Sequence, residues 1–129
     1  MTKILVVDDE ASIRMLYREE FEEEGYEVFE AQDGHNLTER IERDKPDVIV
    51  LDIKMAAYDG LDLLQKIRQQ FQDLPVIISS AYGAYKGDYK TLAADYYVVK
   101  SSDLSELKEK VKKALEGKVP SKTTGKKGP

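Results

Sequence analysis

Five short apolar runs, each followed by a stretch with helical periodicity, constrain this chain more than any other feature of it. The runs are Lys3 to Val7, Tyr26 to Ala31, Asp47 to Leu51, Pro75 to Ser79 and Asp95 to Val99. The first, third and fourth are dense in Val, Ile and Leu without polar alternation, as expected of strands covered on both faces; the second reads as more exposed. Ala11 to Glu24 places Ile13, Leu16, Tyr17 and Phe21 on one face, and Gly25 suits a C-terminal cap. Asn36 to Arg43 predicts a short helix, beyond which Pro46 prevents continuation. Leu61 to Phe71 turns Leu61, Leu64, Ile67 and Phe71 inward. Ala84 to Ala93 is a poor helix, because Gly87 interrupts it at about 1 kcal/mol relative to alanine. Ser102 to Leu115 is a strong final helix that Ser102 or Asp103 can cap.

Strands alternating with helices imply parallel βαβ units, and right-handed crossovers restrict how they wind. Five units most simply give a flavodoxin-like doubly wound (βα)5 fold with strand order 2-1-3-4-5. Ligands of such sheets bind at the carboxyl ends of the strands beside the switch point, here strands 1 and 3.

Composition narrows the chemistry. The chain has 129 residues, one domain's worth, and no cysteine, which excludes disulfides and thiolate metal sites. The opening apolar run is too short for a signal peptide and no run approaches a membrane span, so a cytoplasmic protein is expected. From Lys108 to Pro129 eight lysines face two glutamates, a local balance of +6, which leaves −11 on the remainder of a chain whose net charge is −5. An acidic body argues against nucleic acid as its ligand. The expected organisation is a folded domain over 1–117 and a basic, disordered tail over 118–129.

Strand 1 ends in Asp8-Asp9-Glu10 and strand 3 in Asp52, so carboxylates should meet at the switch point. Singly, each has an ordinary explanation: an Asp pair before a helix caps its N–H groups, and an Asp after a strand serves a turn. Together they repel and raise one another's pKa unless a cation intervenes. An oxygen-only cluster with open positions suits Mg²⁺. Strand 4 ends in Ser79-Ser80-Ala81, a hydroxyl and a backbone N–H. Strand 5 ends in Lys100, whose structural reading is a salt bridge to those carboxylates.

At this point the motifs resemble a known family. Ile4-Leu5-Val6-Val7-Asp8-Asp9-Glu10, Leu51-Asp52-Ile53-Lys54-Met55 with Asp59-Gly60, Pro75 to Tyr82 and Asp95 to Lys100 resemble, in order, the four signature segments of bacterial receiver domains, the phosphoacceptor modules of response regulators. The resemblance covers roughly Lys3 to Leu115. It implies transfer of a phosphoryl group from a phosphohistidine onto Asp52. Mg²⁺, or Mn²⁺, would be held by Asp9, Asp52 and the Lys54 backbone carbonyl, with Asp8 direct or through water. Lys100, Ser80 and the Ala81 N–H would receive the phosphoryl oxygens, and Ser80 with Tyr97 would form the conformational switch, the ordinary alternative for Tyr97 being simple packing. The implied partners are a histidine kinase or histidine phosphotransfer protein and a downstream protein target, with a weak dimer left open and neither membrane nor direct nucleic-acid contact.

Ala56, Ser101 and Gly87 depart from that pattern, where the family has two prolines and a longer apolar helix 4. A cis bond to a residue other than proline costs about 2.5–4 kcal/mol, so the Lys100–Ser101 bond is predicted trans. Tyr58, Tyr82, Tyr85, Tyr89, Tyr96 and Tyr97 crowd this half of the chain, as a partner-binding patch or as packing. Three rival readings remain: a flavodoxin-like carrier, whose phosphate Asp8-Asp9-Glu10 would repel; a haloacid-dehalogenase-type phosphatase, whose Asp-x-Asp on strand 1 is absent; and a receiver fold that binds without being phosphorylated.

Overall fold

The computed structural model describes residues 1–55, 58–81 and 93–123, the last six of these by backbone alone. Five strands run β1 (Lys3–Val7), β2 (Glu27–Ala31), β3 (Val48–Leu51), β4 (Val76–Ser80) and β5 (Tyr96–Val99). All neighbouring pairs are parallel, and the sheet order is β2-β1-β3-β4-β5, as the alternation of runs and helices required. Four helices are described: α1 (Ala11–Glu23), α2 (Leu37–Asp44), α3 (Gly60–Gln70) and α4 (Ser105–Thr123). The weak helix anticipated at Ala84 to Ala93, and the tyrosines at 82, 85 and 89, lie outside the described residues but for Ala93.

Side-chain alternation along the strands divides the core into two layers. On one face Leu5, Val7, Ile49, Leu51 and Ile78 meet Leu37 and Ile41 of α2 and Leu61, Leu64 and Ile67 of α3. On the other, Ile4, Val6, Val48, Val50, Ile77 and Val98 meet Tyr17 and Phe21 of α1 and Leu107 and Val111 of α4. This explains the lack of polar alternation in β1, β3 and β4: both faces are covered. Each such aliphatic side chain contributes about 1.5–3 kcal/mol by leaving water. The edge strand β2 is half-covered, in line with its more polar sequence.

Helix ends follow local chemistry. Gly25 takes φ +95° just past α1, a conformation with little steric penalty only for glycine. The Asp59 carboxylate accepts from the Leu61 N–H at 2.9 Å and caps α3. Asp103 accepts from the Ser105 N–H at 2.9 Å, so α4 begins three residues later than the sequence suggested, and it runs on to Thr123, past the expected end at Leu115.

One side chain fastens the far end of the sheet. The Arg68 guanidinium on α3 donates to the carbonyls of Gln72, Leu74 and Ala93 and to the Asp95 carboxylate, at 2.7–3.1 Å. Asp95 in turn accepts from the Val76 N–H at 2.8 Å. The entry to β5 is thereby tied to β4 and to the end of α3.

Candidate functional site

The parallel ladder continues one residue beyond three of its strands. The Asp8 N–H donates to the Ala31 carbonyl at 3.1 Å, the Asp52 N–H to Val7 at 3.0 Å, and the Lys100 N–H to Ser80 at 2.6 Å. The side chains of Asp8, Asp52 and Lys100 are therefore still in strand register. Counting by twos from Ile4 and Val6, Val48 and Val50, and Tyr96 and Val98 puts all three on the face covered by α1 and α4. Ser79, two residues after Ile77, belongs to the same face, whereas Ser80 leaves β4 on the face of Ile78.

Asp8, Asp9 and Asp52 present carboxylate oxygens that all lie within 4.8 Å of one another. Asp8 and Asp52 are buried, at 2% and 4% exposure, while Asp9 is open to solvent. Lys100 Nζ sits against this cluster, 2.7 Å from Asp8 Oδ2, 3.6 Å from Asp52 Oδ2 and 3.6 Å from Glu10 Oε1. The salt bridge of Lys100 to the carboxylates is formed as expected, with Asp52 within reach and the shortest contact to Asp8. Burial alone would lower the Lys100 pKa, but the hydrogen bond and charge of Asp8, with Asp52 behind it, hold it above the ordinary lysine value. Asp52 moves the other way for a carboxylate. Burial is the main cause of its rise to about 6, Asp8 and Asp9 add to the rise, and Lys100 and the Lys54 N–H restrain it.

Neighbouring residues hold the cluster in place. The Glu10 N–H donates to Asp8 Oδ1 at 2.9 Å, and Arg14 Nη1 donates to the Asp8 carbonyl at 2.7 Å while its Nε reaches Glu30. Beyond Asp52, the Gly60 N–H donates to the Ile53 carbonyl at 2.8 Å, and the backbones of Lys54 and Asp59 pair in a single antiparallel bridge. A Cβ at Gly60 would lie 2.3 Å from the Asp52 carbonyl oxygen and 2.5 Å from Ile53 Cα. Only glycine lets α3 begin this close to the strand end. The Lys100–Ser101 bond is trans, as predicted, and no peptide among the described residues is cis.

The remaining candidates lie around this core. Ser80 is fully buried at the end of β4 and Ala81 follows it, exposed. Tyr97 is half-buried against the α2/α3 layer and pairs in register with Ile78. Two residues escaped the sequence reading: Tyr17 and Ser79, both buried, hydrogen bond to each other at 2.8 Å. For Ser79 a signal existed, the period-two step from Ile77 that puts it on the face of Asp8, Asp52 and Lys100. For Tyr17 it was the polar tip on an otherwise apolar helical stripe.

The response regulator receiver domain model matches residues 4–112. The chain belongs to the response regulator receiver domain family. As a receiver domain it is a module of two-component signalling rather than an enzyme turning over a small substrate. It is 36% identical over 115 residues to sporulation initiation phosphotransferase F of Bacillus subtilis, covering 88% of this chain and 93% of that protein. With the alkaline phosphatase synthesis transcriptional regulatory protein PhoP of the same organism it shares 37% over 117 residues, but spans only 48% of PhoP. The receiver thus accounts for nearly the whole of one relative and about half of another. The response regulator TrrA of Thermotoga maritima, solved in complex with Mg²⁺-BeF, is 45% identical with a TM-score of 0.86, over 89% of this chain and 100% of that one. TrrA in complex with the histidine kinase ThkA gives 45% and 0.83, over 89% and 99%. This family membership removes the carrier and phosphatase readings. No described helix is long and apolar enough to cross a membrane.

Proposed function

We propose that this receiver domain takes a phosphoryl group onto Asp52 from the phosphohistidine of a histidine kinase or histidine phosphotransfer protein, and that the modified surface then engages a downstream protein. The observation that carries the reading is the gathering of Asp8, Asp9 and Asp52 oxygens within 4.8 Å beside Lys100. The complexes of TrrA with Mg²⁺-BeF and with ThkA support the same assignment here.

The donor set fits a hard divalent cation: oxygen ligands only, and one of them, Asp9, open to solvent. Asp9, Asp52 and the Lys54 carbonyl would hold Mg²⁺, or Mn²⁺, with Asp8 direct or through water. When bound, the ion neutralises the carboxylates and the transferring oxygens. An Asp52 oxygen forms the new bond to phosphorus as the phosphorus–nitrogen bond of the donor breaks and its electron pair returns to the imidazole. With a pKa of about 6, Asp52 is mostly ionised at neutral pH and able to act as the nucleophile. Such transfer relies on positioning and charge neutralisation. Lys100, released from Asp8, Ser80 and the Ala81 N–H receive the three phosphoryl oxygens. Ser80 and Tyr97 lie on one face of adjacent strands, which supports their pairing as the switch. The receiver body is assigned residues 1–117 in a cytoplasmic setting, and α4 carries on from it into the basic segment 118–129 as far as Thr123.

The test is incubation with acetyl phosphate and Mg²⁺, followed by intact mass. One added phosphoryl group is expected, dependent on the divalent cation and lost in Asp52→Asn. Full modification of Asp52→Asn would overturn the assignment. No modification of the wild type by either acetyl phosphate or a phosphorylated kinase would leave the receiver as a binding module.

A further inference from the structure

The α1/α4 side of the sheet is apolar until the row in which Asp8, Asp52 and Ser79 stand side by side beyond β1, beyond β3 and in β4, next to Val98 of β5. Lys100, two residues past Val98 on the same face, reaches back over this row to Asp8 at 2.7 Å and Asp52 at 3.6 Å. Tyr17 reaches this row from α1. Its hydroxyl and that of Ser79 are 2.8 Å apart, in a layer otherwise made of residues such as Val6, Val50, Ile77 and Val98. Both residues are buried, at 2% and 1% exposure. Packing alone gives no reason for hydroxyls here, because burying them carries a desolvation penalty that an aliphatic pair avoids. The mutual bond uses one of the two hydroxyl protons and leaves the second proton and several lone pairs for other partners.

The nearest charges are those of the site. Burial raises the Tyr17 phenol above its ordinary value, so it is a neutral hydroxyl with the charges of Lys100, Asp8 and Asp52 close enough to bear on it. The three carboxylates within reach of the ammonium, Asp8, Asp52 and Glu10, lie at the strand ends, whereas the phenol approaches from within the core layer. We propose that Tyr17, its hydroxyl held by Ser79, is a positioning residue for Lys100, steadying the lysine from the core side as it turns from Asp8 to the phosphoryl group on Asp52. A carboxylate in this place would compete for the ammonium, and a methyl group would leave an N–H without an acceptor during the turn. A neutral hydroxyl does neither. The inference rests on the proposed phosphorylation of Asp52.

The experiment follows phosphorylation by acetyl phosphate at saturating Mg²⁺, by intact mass, in Tyr17→Phe and Ser79→Ala, with folding checked by thermal melts. Each variant is expected to slow the reaction about 3- to 10-fold, the rate equivalent of roughly one buried hydrogen bond. The Mg²⁺ concentration giving half the maximal rate is expected to stay the same, since neither hydroxyl belongs to the carboxylate set. In a Lys100→Met background, followed over longer times, Tyr17→Phe is expected to have no further effect. An unchanged rate in both single variants would overturn the proposal. So would an equal fold-loss in the Lys100→Met background, or a shifted Mg²⁺ half-point, since either marks general disruption rather than positioning of the lysine. Should Tyr17→Phe fail to fold, Ser79→Ala, which removes one small hydroxyl, decides by the same three readouts. Modification that survives Asp52→Asn would sink the phosphoacceptor reading itself, an outcome separate from any of these.

Discussion

Neutralising Asp52 should make the metal-free domain more stable, and the structure sets the size of the effect. The Asp52 carboxyl titrates at about 6 in the fold against an ordinary 3.8, a difference of about 2 units. At 1.36 kcal/mol per unit this is about 3 kcal/mol. The folded state binds the proton more tightly than the unfolded chain, so this penalty is absent below about pH 4, grows as pH rises toward 6 and is complete above that. Asp52→Asn cannot ionise and escapes it. The gain falls short of the full figure because Lys100 loses a carboxylate at 3.6 Å, though it keeps Asp8 at 2.7 Å. A net increase of about 1–3 kcal/mol is expected at about pH 7.5 without metal, shrinking toward zero near pH 4. Urea unfolding at the two pH values, in EDTA and in saturating Mg²⁺, measures it. Mg²⁺ should stabilise the wild type far more than the variant, closing or reversing the gap. Equal or lower stability of Asp52→Asn at the higher pH without metal, or a gain that does not shrink on acidification, would refute the reasoning.

Asp9→Ala should weaken Mg²⁺ binding by at least about tenfold in calorimetry, the usual scale for a lost ligand interaction of about 1.4 kcal/mol or more. Because Asp9 is exposed, the fold should be kept. Gly60→Ala should lose about 1–3 kcal/mol in urea unfolding and slow phosphorylation of Asp52, because its Cβ has no room beside the Asp52 carbonyl and Ile53 Cα. Arg68→Ala should destabilise by about 2–3 kcal/mol, as three backbone carbonyls and Asp95 lose their donor together, with the phosphorylation rate little changed.

The chain's sequence determined the order of elements, the parallel 2-1-3-4-5 sheet and the convergence of Asp8, Asp9, Asp52 and Lys100. Each of these follows from local periodicity combined with the handedness of βαβ units, which brings the carboxyl ends of nonadjacent runs to one edge whatever the intervening loops do. Gly25 at positive φ and the trans bond before Ser101 were legible for the same reason: both depend on one or two residues and a known penalty. Strand ends were legible only to within a residue, β4 running from Val76 to Ser80 rather than from Pro75 to Ser79, because hydrogen-bonded partners on β5 decide where pairing stops. Only the tertiary structure decided that, of the carboxylates Lys100 reaches, Asp8 takes the shortest contact and Asp52 a longer one. A long, flexible ammonium arm chooses among several carboxylates by sub-ångström differences in reach and burial, which no periodicity encodes. The Arg68 staple and the Tyr17–Ser79 pair have the same origin. Their partners lie far apart in the chain, 62 residues in the second case, and meet only because two layers of the fold press them together.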